Sequence, residues 1–551
     1  MKNKRIKLAL LMLLVAVVGT VKAEGEHWSW NSHEYLANST FVGIITIEGV
    51  EQRSDQLEIG AFCEGVCRGS IICIYNANKD RYYAYLTVNG EAGMNMTFRL
   101  WNHATEEELD VDSEITYTFQ PNDYFGVPSN PYVFPFTLHF EGPVYTGGTS
   151  NTWSDPANWR DEESPTSVHD EVFILNNCNL NEDVTVAAMT IIEGQSLTVE
   201  SGSTLVVSGD LTSTLASGIV IQEGGQIINA TEDVSATMEI GISSFNRDES
   251  SGWYAIASPM IEMEIEGSDF LTSSYDLYRF NDARVEEEWE NYKANLADFT
   301  TFEKGRGYLY ANSNSFTPNF TGILNASAVT YSLTCTNRPN DPLRGFNLIG
   351  NPFPHSIYKG AGGAIDNDNL ASGYYTLTNE GIWQVHSFDD AILPGQGILV
   401  KATAPTVLTI SKSNEEAFAE SGDTKKGAKR MSISVSGTSG QDRVYVYFGQ
   451  GNDLNKVEDF TQATPNLAIH TEKGDFAIVH LDQKSDAVEL VFTTPGKGSF
   501  TMEVNVAPDD FEHLHLIDSL KGSEVDLLAT PSYTFEASAR DDASRFRLVF
   551  S

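Results

Sequence analysis

Two residue pairs in this sequence have a spacing suited to a covalent bridge or to metal binding. Cys63 and Cys67 flank a Glu-Gly-Val tripeptide between two alternating apolar runs, a pattern that predicts a short β-hairpin. A hairpin would place the two thiols opposite each other, so we predict a disulfide bond between them; a metal site and free thiols are the alternatives. The remaining cysteines lie in separate segments, where we expect small buried side chains: Cys73, Cys178 and Cys335.

The second pair is Asp366 and Asp368, each of which is followed by an asparagine. Carboxylate and amide oxygens are the ligands that calcium prefers, so this segment is a candidate calcium site. It lacks the central glycine and the distal glutamate of an EF-hand loop, and an ordinary surface turn is the alternative. We expect no other cofactor.

Six aromatic residues near the ends of predicted modules could bind a ligand. A flat indole or phenol ring matches the apolar face of a sugar and loses few rotamers on binding. Burial in a core or in a seam between domains is the alternative, because aromatic side chains fill much of any sandwich core. The candidates are Trp28, Trp30, Tyr35, Tyr124, Trp153 and Trp159.

Local signatures of catalysis are missing from the sequence. It contains no G-x-S-x-G elbow, H-E-x-x-H helix, P-loop or Rossmann fingerprint, and no cysteine lies in a nucleophile motif. A carboxylate pair for glycoside hydrolysis cannot be selected among 76 acidic residues, because that chemistry depends on their spatial separation. This pattern favours a protein without catalytic activity. It leaves open a hydrolase or lyase whose site forms only in three dimensions.

The overall charge excludes two classes of partner. The 551 residues carry 76 acidic and 35 basic side chains, a formal net charge of −41. Such a surface repels the phosphates of nucleic acids and the headgroups of anionic lipids, so we expect neither as a partner. A hydrophobic content of 41% also excludes wholesale disorder.

Residues 1–23 have the three parts of a secretory signal peptide. A basic head precedes an apolar run from Leu8 to Val18, and the segment ends in small residues at Ala23. No later stretch reaches the ~18 apolar residues of a membrane span, so no transmembrane segment is expected. We therefore expect an exported protein that is secreted, held at the cell surface or kept in the periplasm.

Apolar residues alternate with a period of two along nearly the whole mature chain, which predicts an all-β, multi-domain protein. Residues 24–142 are predicted to form an N-terminal β-sandwich. Residues 143–235 carry short β-branched strands separated by glycines, which is typical of a short β-solenoid. Residues 411–430 lack apolar periodicity and are predicted to be a linker, followed by a second sandwich at 431–551.

An internal duplication occupies residues 236–325 and 326–410, here named copy 1 and copy 2. The segment 252–259 corresponds to 345–352, and Trp289 corresponds to Trp383. A G-x-G segment that starts at Gly305 corresponds to one that starts at Gly395. Three landmarks in the same order at a nearly constant offset predict a duplicated β-module, in which G-x-G permits a turn or a bulge.

These repeated motifs resemble segments of large modular surface proteins of the Bacteroidota type. Residues 153–165 and 57–69 resemble the solenoid and sandwich modules of the same group. The end of the chain, 533–551, resembles the module that usually precedes a type IX sorting domain, which is not found after Ser551. The resemblance implies a modular exported protein and says little about an activity.

Two function classes remain open. The first is an exported, non-catalytic binding or adhesion protein that recognises a glycan or an extracellular or matrix protein through loops and exposed aromatic side chains. The second is a secreted polysaccharide-active hydrolase or lyase. The absent catalytic motifs and the duplicated β-module favour the first class. The identity of the ligand and the oligomeric state are not indicated.

Overall fold

We analysed a computed structural model of the chain, which describes most of the sequence. The described residues are 27–31, 34–140, 142–162, 164–165, 171–192, 194–213, 216–248, 250–272, 274–284, 287–294, 298–338, 341–357, 368–388, 390–412, 429–461, 464–482, 484–507 and 510–551. The predicted signal peptide, most of the predicted linker and Asp366 lie outside them.

Nearly all regular structure in the described part of the chain is β-strand, which confirms the all-β, multi-domain prediction. Five three-residue 3-10 helices accompany the strands: Pro156–Asn158, Arg160–Glu162, Ala216–Gly218, Asp269–Leu271 and Tyr292–Ala294. No helix among the described residues has the length and apolar character needed to cross a membrane. The chain divides into two units, 1–142 and 143–551, which are described separately.

The first unit is a sandwich of two sheets. Its strands are β1 (Asn38–Ile47), β2 (Val50–Glu51), β3 (Leu57–Cys63), β4 (Val66–Ile72), β5 (Ile74–Asn76), β6 (Arg81–Asn89), β7 (Asn95–Asn102), β8 (Glu107–Glu108), β9 (Val111–Ser113), β10 (Tyr117–Thr118), β11 (Tyr124–Phe125) and β12 (Tyr132–Leu138). One sheet has the order β5-β6-β1-β12-β9, with β2 and β11 also paired to β1, and the other has the order β10-β7-β3-β4, with β8 paired to β7. Phe41, Ile59 and Phe134 belong to the core between the sheets.

The second unit begins with a three-sided parallel β-solenoid. Its strands are β13 (Val144–Tyr145), β14 (Val172–Ile174), β15 (Cys178–Leu180), β16 (Val184–Val186), β17 (Met189–Ile191), β18 (Leu197–Val199), β19 (Thr204–Val207), β20 (Leu211–Thr212), β21 (Ile219–Ile221), β22 (Gln226–Asn229) and β23 (Ser235–Glu239). In one sheet Cys178, Leu197 and Ile219 stand in register in successive turns, and all three are fully buried. Each turn therefore covers the apolar residues of the next.

Copy 1 follows the solenoid and shares its core. Its strands are β24 (Trp253–Ala257), β25 (Glu262–Glu264), β26 (Tyr275–Phe280), β27 (Trp289–Asn291), β28 (Thr301–Glu303), β29 (Gly307–Asn312) and β30 (Asn319–Ile323). The main sheet has the order β24-β29-β26-β27, and β25 pairs with β28. The last solenoid strand, β23, pairs antiparallel with β30, which joins the two cores into one.

Copy 2 repeats the strand order of copy 1. Its strands are β31 (Val329–Leu333), β32 (Phe346–Gly350), β33 (Leu370–Leu377), β34 (Trp383–Ser387), β35 (Gly397–Ala402) and β36 (Thr406–Ile410). The main sheet runs β32-β35-β33-β34, which matches β24-β29-β26-β27 strand for strand, and β31 pairs with β36. The identical order supports the duplication inferred from sequence.

The two copies contact each other through their corresponding motifs. Ile256 of copy 1 bridges to Gln396 of copy 2, and Ile349 of copy 2 bridges in the same way to Arg306 of copy 1. The Ala257 N–H donates to the Gly395 carbonyl (2.9 Å), and the Gly350 N–H donates to the Gly305 carbonyl (3.2 Å). The contact is thus pseudo-twofold: each copy offers the same surface to the other, as in a symmetric dimer.

The glycines of these motifs are needed because the two backbones touch. A Cβ on Gly307 would lie 2.4 Å from the Ile349 carbonyl oxygen, and a Cβ on Gly397 would lie 3.0 Å from Ile256 backbone oxygen. A Cβ on Gly350 would lie 2.0 Å from the Ala257 Cβ. The repeated G-x-G segments therefore build the contact between the copies.

The C-terminal module is one continuous sheet of eleven strands around a single core. Its strands are β37 (Arg430–Gly437), β38 (Gly440–Phe448), β39 (Leu454–Asn455), β40 (Asn466–Thr471), β41 (Gly474–Leu481), β42 (Ala487–Thr493), β43 (Gly498–Val506), β44 (Leu514–Asp518), β45 (Ser523–Asp526), β46 (Ser532–Ala537) and β47 (Phe546–Phe550). The sheet folds over so that Phe535 of one end packs on Phe492 and Phe546. Alternating inward residues on most of the strands fill this core.

Candidate functional site

A cleft of about 600 Å³ lies between copy 2 and the C-terminal module of the second unit. One wall is the turn that joins β33 to β34, with Thr378, Glu380 and Gln384. The other wall is formed by β37 and β38, with Ser434 and Arg443, and by the segment that carries Thr461 and Thr464. Residues far apart in the sequence thus line one cavity, which is the usual construction of a ligand site.

Local sequence shapes both walls. In the first wall the Gly381 N–H donates to the Thr378 carbonyl (3.0 Å) and Gly381 has a φ of +79°, a backbone conformation that glycine adopts without strain. In the second wall β37 and β38 form a tight hairpin in which Gly437 pairs with Gly440. Two hairpin ends therefore bound the cleft.

Hydrogen-bonding groups without charge dominate the lining. Hydroxyl groups come from five segments of the chain, and amide groups come from Gln384 and Gln441. The Thr378 hydroxyl oxygen is buried and has no hydrogen-bond partner among the described residues. An unsatisfied buried hydroxyl costs free energy, and a ligand with a polar group at that position would remove the cost. The hydroxyl-bearing residues are Ser251, Thr378, Ser434, Ser439, Thr461 and Thr464.

Asp442 lines the cleft as part of a buried ion pair. Both of its carboxylate oxygens lie 2.7 Å from the Lys456 Nζ, and the Leu467 N–H donates to one of them at 2.6 Å. The two side chains are 5% and 8% exposed. Because both Asp442 oxygens already bind Lys456, the carboxylate links the strands of the fold and is not available to a ligand.

A second carboxylate, Asp459, fastens the wall that carries Thr461 and Thr464. It accepts a hydrogen bond from the Trp383 N–H (2.7 Å) and one from the Thr464 hydroxyl (3.4 Å). The neighbouring Phe460 packs edge-on against Trp383 at a centroid distance of 5.8 Å. Burial raises the pKa of Asp459 to about 6, an effect that the nearby Asp442 charge strengthens and the Lys456 charge weakens.

The predicted aromatic candidates at the start of the first unit cover a sheet face. The N–H groups of His27 and Trp28 donate to the fully buried Glu58 carboxylate at 2.6 and 3.2 Å. The half-buried Trp28 indole lies over Gly60, where a Cβ would approach it to 2.7 Å. Glycine at that position therefore makes room for the indole.

Two further candidates lie in the same region. Trp30 is half-buried. Tyr35 is also half-buried, and the Arg68 guanidinium lies 4.8 Å from the centre of its ring. A cation over the ring occupies one face that a sugar would need.

Tyr124 lies on the opposite side of the sandwich. It is 60% exposed on β11, while the adjacent Phe125 points inward and stacks on Phe41 at 4.6 Å. Trp28 covers the outer face of the β3–β7 pair and Tyr124 projects from the sheet that contains β1. The structure therefore does not bring the candidates of the first unit together into one site.

The structure corrects the prediction for Trp153 and Trp159. They are 1% and 2% exposed and pack edge to face at 4.7 Å in the solenoid core. The Trp159 Nε1–H donates to the Trp153 carbonyl (2.8 Å), and the Trp153 N–H donates to the Asn179 carbonyl (2.9 Å). The first turn of a solenoid would otherwise expose its core, so these rings cap it and present no face to a ligand.

The predicted bridge between Cys63 and Cys67 is not formed in this structure. A hairpin does join β3 to β4, but its turn consists of only two residues, Glu64 and Gly65, which have φ angles of +51° and +79°. Cys67 stands opposite Phe62, and Cys63 stands opposite Val66. A three-residue turn would be needed to place Cys63 opposite Cys67, so the two-residue turn explains why they are not paired as the spacing suggested.

The structure does not support Asp366 and Asp368 as a pair of calcium ligands. Asp366 lies outside the described residues. Asp368 is exposed, and its backbone carbonyl accepts a hydrogen bond from the Asn452 Nδ2 at 2.8 Å. Across the part of the chain that the structure covers, no three His, Cys, Asp or Glu side chains are grouped as metal ligands.

Sequence reasoning missed the cleft. Its residues are common polar types in five separate segments, and they have no shared spacing along the chain. The one local signal is the turn at Gly381, which marks a hairpin end without indicating what the hairpin faces.

Comparison with known proteins gives one match. Residues 144–374 are similar to a family described as a domain of unknown function, DUF8693. The matched part spans the solenoid, copy 1 and the first half of copy 2. No curated protein and no solved structure matches the chain.

Proposed function

We propose that this chain is an exported, non-catalytic protein that binds carbohydrate in the cleft between copy 2 and the C-terminal module. The observation that carries the proposal is the convergence of uncharged hydroxyl and amide groups there, together with the unpartnered Thr378 hydroxyl. Sugars present many hydroxyl groups that both donate and accept, so such a lining can match them. The resemblance of the repeated motifs to surface proteins of the Bacteroidota type agrees with an extracellular role.

The charges around the cleft support a neutral ligand. Glu380 is exposed at the mouth, and the whole chain carries a formal charge of −41. Both disfavour a strongly anionic polymer. Among the described lining residues Arg443 is the one cation, and its Nη1 donates to the Tyr445 hydroxyl at 3.3 Å.

The carboxylates of the cleft support binding over hydrolysis. Glycoside hydrolysis requires two carboxyl groups that face each other across the scissile bond. Among the lining residues the carboxylates are Glu380 and Asp442, and Lys456 holds both oxygens of Asp442. Among the described lining residues, Glu380 is then the one carboxylate available for catalysis. A single carboxylate is not enough for glycoside hydrolysis by a carboxylate pair.

A glycan-array screen of the mature chain, followed by calorimetry with the best oligosaccharide, tests the proposal. Thr378→Val removes the unpartnered hydroxyl without removing a hydrogen bond from the fold. We expect about tenfold weaker binding, the equivalent of one ordinary hydrogen bond, with a thermal stability equal to or higher than that of the wild type, because the unsatisfied hydroxyl is removed.

Gln222→Ala, on the solenoid, is the control for substitution of a half-buried polar side chain away from the cleft and should bind like the wild type. Equal binding by wild type and Thr378→Val would place the ligand elsewhere. Cleavage of the oligosaccharide that stops in Glu380→Gln would favour the hydrolase instead. A pull-down that yields only an extracellular protein, with no glycan bound, would also contradict the proposal.

A further inference from the structure

A second, smaller cavity of about 190 Å³ lies at the seam between the two copies. Copy 1 contributes Arg279, Glu290 and Arg306, and copy 2 contributes Tyr331 and Ser332. The cavity is separate from the cleft, with which it shares no lining residue. It is unusual in this acidic chain because two arginines line it.

One of these arginines, Arg279, is paired within copy 1. The Arg279 Nε donates to Glu290 Oε2 at 2.6 Å, and its Nη1 donates to the Asp298 carbonyl at 2.9 Å. The other Glu290 oxygen accepts from the Asn281 Nδ2 (2.9 Å) and lies 3.3 Å from the Arg284 Nη1. The Glu290 carboxylate is therefore already paired within copy 1, and it acts on Arg306 only through its charge.

Arg306 is only partly compensated. Its Nε lies 3.1 Å from Glu303 Oε2, but the N–H does not point at that oxygen, and the buried Nε has no hydrogen-bond partner. The Glu303 side chain is 45% exposed, so solvent weakens the pair. The guanidinium also lies 5.6 Å from the centre of the Tyr331 ring. A buried guanidinium donor without an acceptor is costly, and an anion in the cavity would supply one.

Copy 2 shows that the G-x-G turn does not itself need an arginine. The position that corresponds to Arg306 is Gln396, and its Oε1 accepts a hydrogen bond from the Leu393 N–H (3.1 Å) within the same turn. Both residues make the same backbone bridge to the opposite copy. The guanidinium of copy 1 therefore has no structural counterpart in copy 2.

We propose that the cavity at the seam binds a carboxylate, held by the Arg306 guanidinium and the Ser332 hydroxyl. The planar fork of a guanidinium matches the two oxygens of a carboxylate, and a volume of about 190 Å³ accommodates a small anion or one acidic group of a larger molecule. Among the residues that line the cavity, two arginines and one glutamate carry a charge, which leaves one positive charge in the lining: Arg279, Arg306 and Glu290.

Calorimetry on the full chain tests the proposal. Acetate and glucuronate are the probes, and chloride at equal ionic strength is the reference. We expect saturable binding by the wild type and at least about tenfold weaker binding by Arg306→Gln, which installs the copy 2 side chain. Arg306→Lys should fall between them, because it keeps the charge and loses the fork.

Lys304→Gln is the matched control, because it removes one positive charge two residues away at an exposed position. It should bind like the wild type. Binding of both probes would indicate a free carboxylate group as the ligand, and binding of glucuronate alone would indicate an acidic sugar. No binding beyond chloride, or equal loss in Arg306→Gln and Lys304→Gln, would overturn the proposal. Melting temperatures of the variants show whether a loss of binding reflects unfolding.

Discussion

The two copies share a strand order, yet their equivalent hairpins have different surroundings. In copy 1 the hairpin of β26 and β27 is closed by the buried Arg338, which lies 3.1 Å from Asp282 and contacts Glu288. In copy 2 the described residues show no equivalent ion pair at the hairpin of β33 and β34: the Phe460 N–H of the C-terminal module donates to the Gly381 carbonyl (2.9 Å), and the rest of the turn lines the cleft. Duplication supplied the same scaffold twice, and the surroundings of each copy determine whether a hairpin end is sealed or lines a cavity.

The corresponding tryptophans show the same contrast. Trp289 stands opposite Phe280 within the sheet of copy 1, and their rings pack at 4.9 Å. Trp383 of copy 2 instead donates its backbone N–H to Asp459 of the C-terminal module. Both rings lie in or against one apolar cluster that also includes residues of the C-terminal module, and only the tryptophan of copy 2 adds a backbone hydrogen bond to that module.

The largest expected effect comes from opening the sealed hairpin. Arg338→Met leaves the fully buried Asp282 without its guanidinium, although the N–H groups of Thr336 and Gly345 still reach it. We expect a loss of about 3 kcal/mol in the free energy of unfolding, measured by urea denaturation. Arg284→Met, in the same hairpin but 42% exposed, should cost less than about 1 kcal/mol. Equal losses of stability in Arg338→Met and Arg284→Met would show that the buried ion pair of Arg338 is no stronger than the exposed one of Arg284.

The contact between the copies is the next target. Gly350→Ala would place a Cβ 2.0 Å from the Ala257 Cβ, so the two motif backbones must separate. We expect a loss of about 2 kcal/mol, seen as a lower urea midpoint. Gly496→Ala is the control, because a Cβ there meets no atom within 4 Å. A Gly350→Ala variant as stable as the control would contradict the close pseudo-twofold contact.

The smallest effect concerns the carboxylate that holds copy 2 to the C-terminal module. The pKa of Asp459 is raised to about 6 from an ordinary value near 3.8, so the folded protein holds this proton more tightly than the unfolded chain. Between about pH 4 and pH 6 this group therefore lowers stability as the pH rises, and the cost persists at neutral pH.

Asp459→Asn keeps an acceptor for the Trp383 N–H and removes the charge. We expect this variant to gain on the order of 1 kcal/mol over the wild type at pH 7 and nothing at pH 4, measured by urea denaturation at both values. A gain that is the same at both values would mean that the charge of Asp459 is not its source.

Much of the architecture follows from local patterns. Alternating apolar residues identify strands because one face of a sheet is buried and the other meets solvent. The constant offset between 252–259 and 345–352 reveals the duplication, and the same strand order in both copies agrees with it. The G-x-G segments predict a close backbone approach, although their sequence does not show that the approaching backbone belongs to the other copy.

The candidate sites were much less accessible to sequence reasoning. A tryptophan in a strand-rich chain fits a solenoid cap and a sugar platform equally well, and only packing places Trp153 in the core. The spacing of Cys63 and Cys67 does not show whether the turn between them has two or three residues, and the two-residue turn of the structure places Cys63 opposite Val66. The partial compensation of Arg306 depends on the direction of one N–H group.

The sequence by itself determined the strand content, the acidic charge and the repeat, because each is a property of neighbouring residues or of composition. The tertiary structure decided which hairpin end is sealed and which lines a cleft. Thr378 and Thr464 are separated by more than eighty residues and lie in one cavity only after copy 2 and the C-terminal module have packed together. Sites of this kind are formed by packing between modules, and packing leaves no periodic signal in the chain.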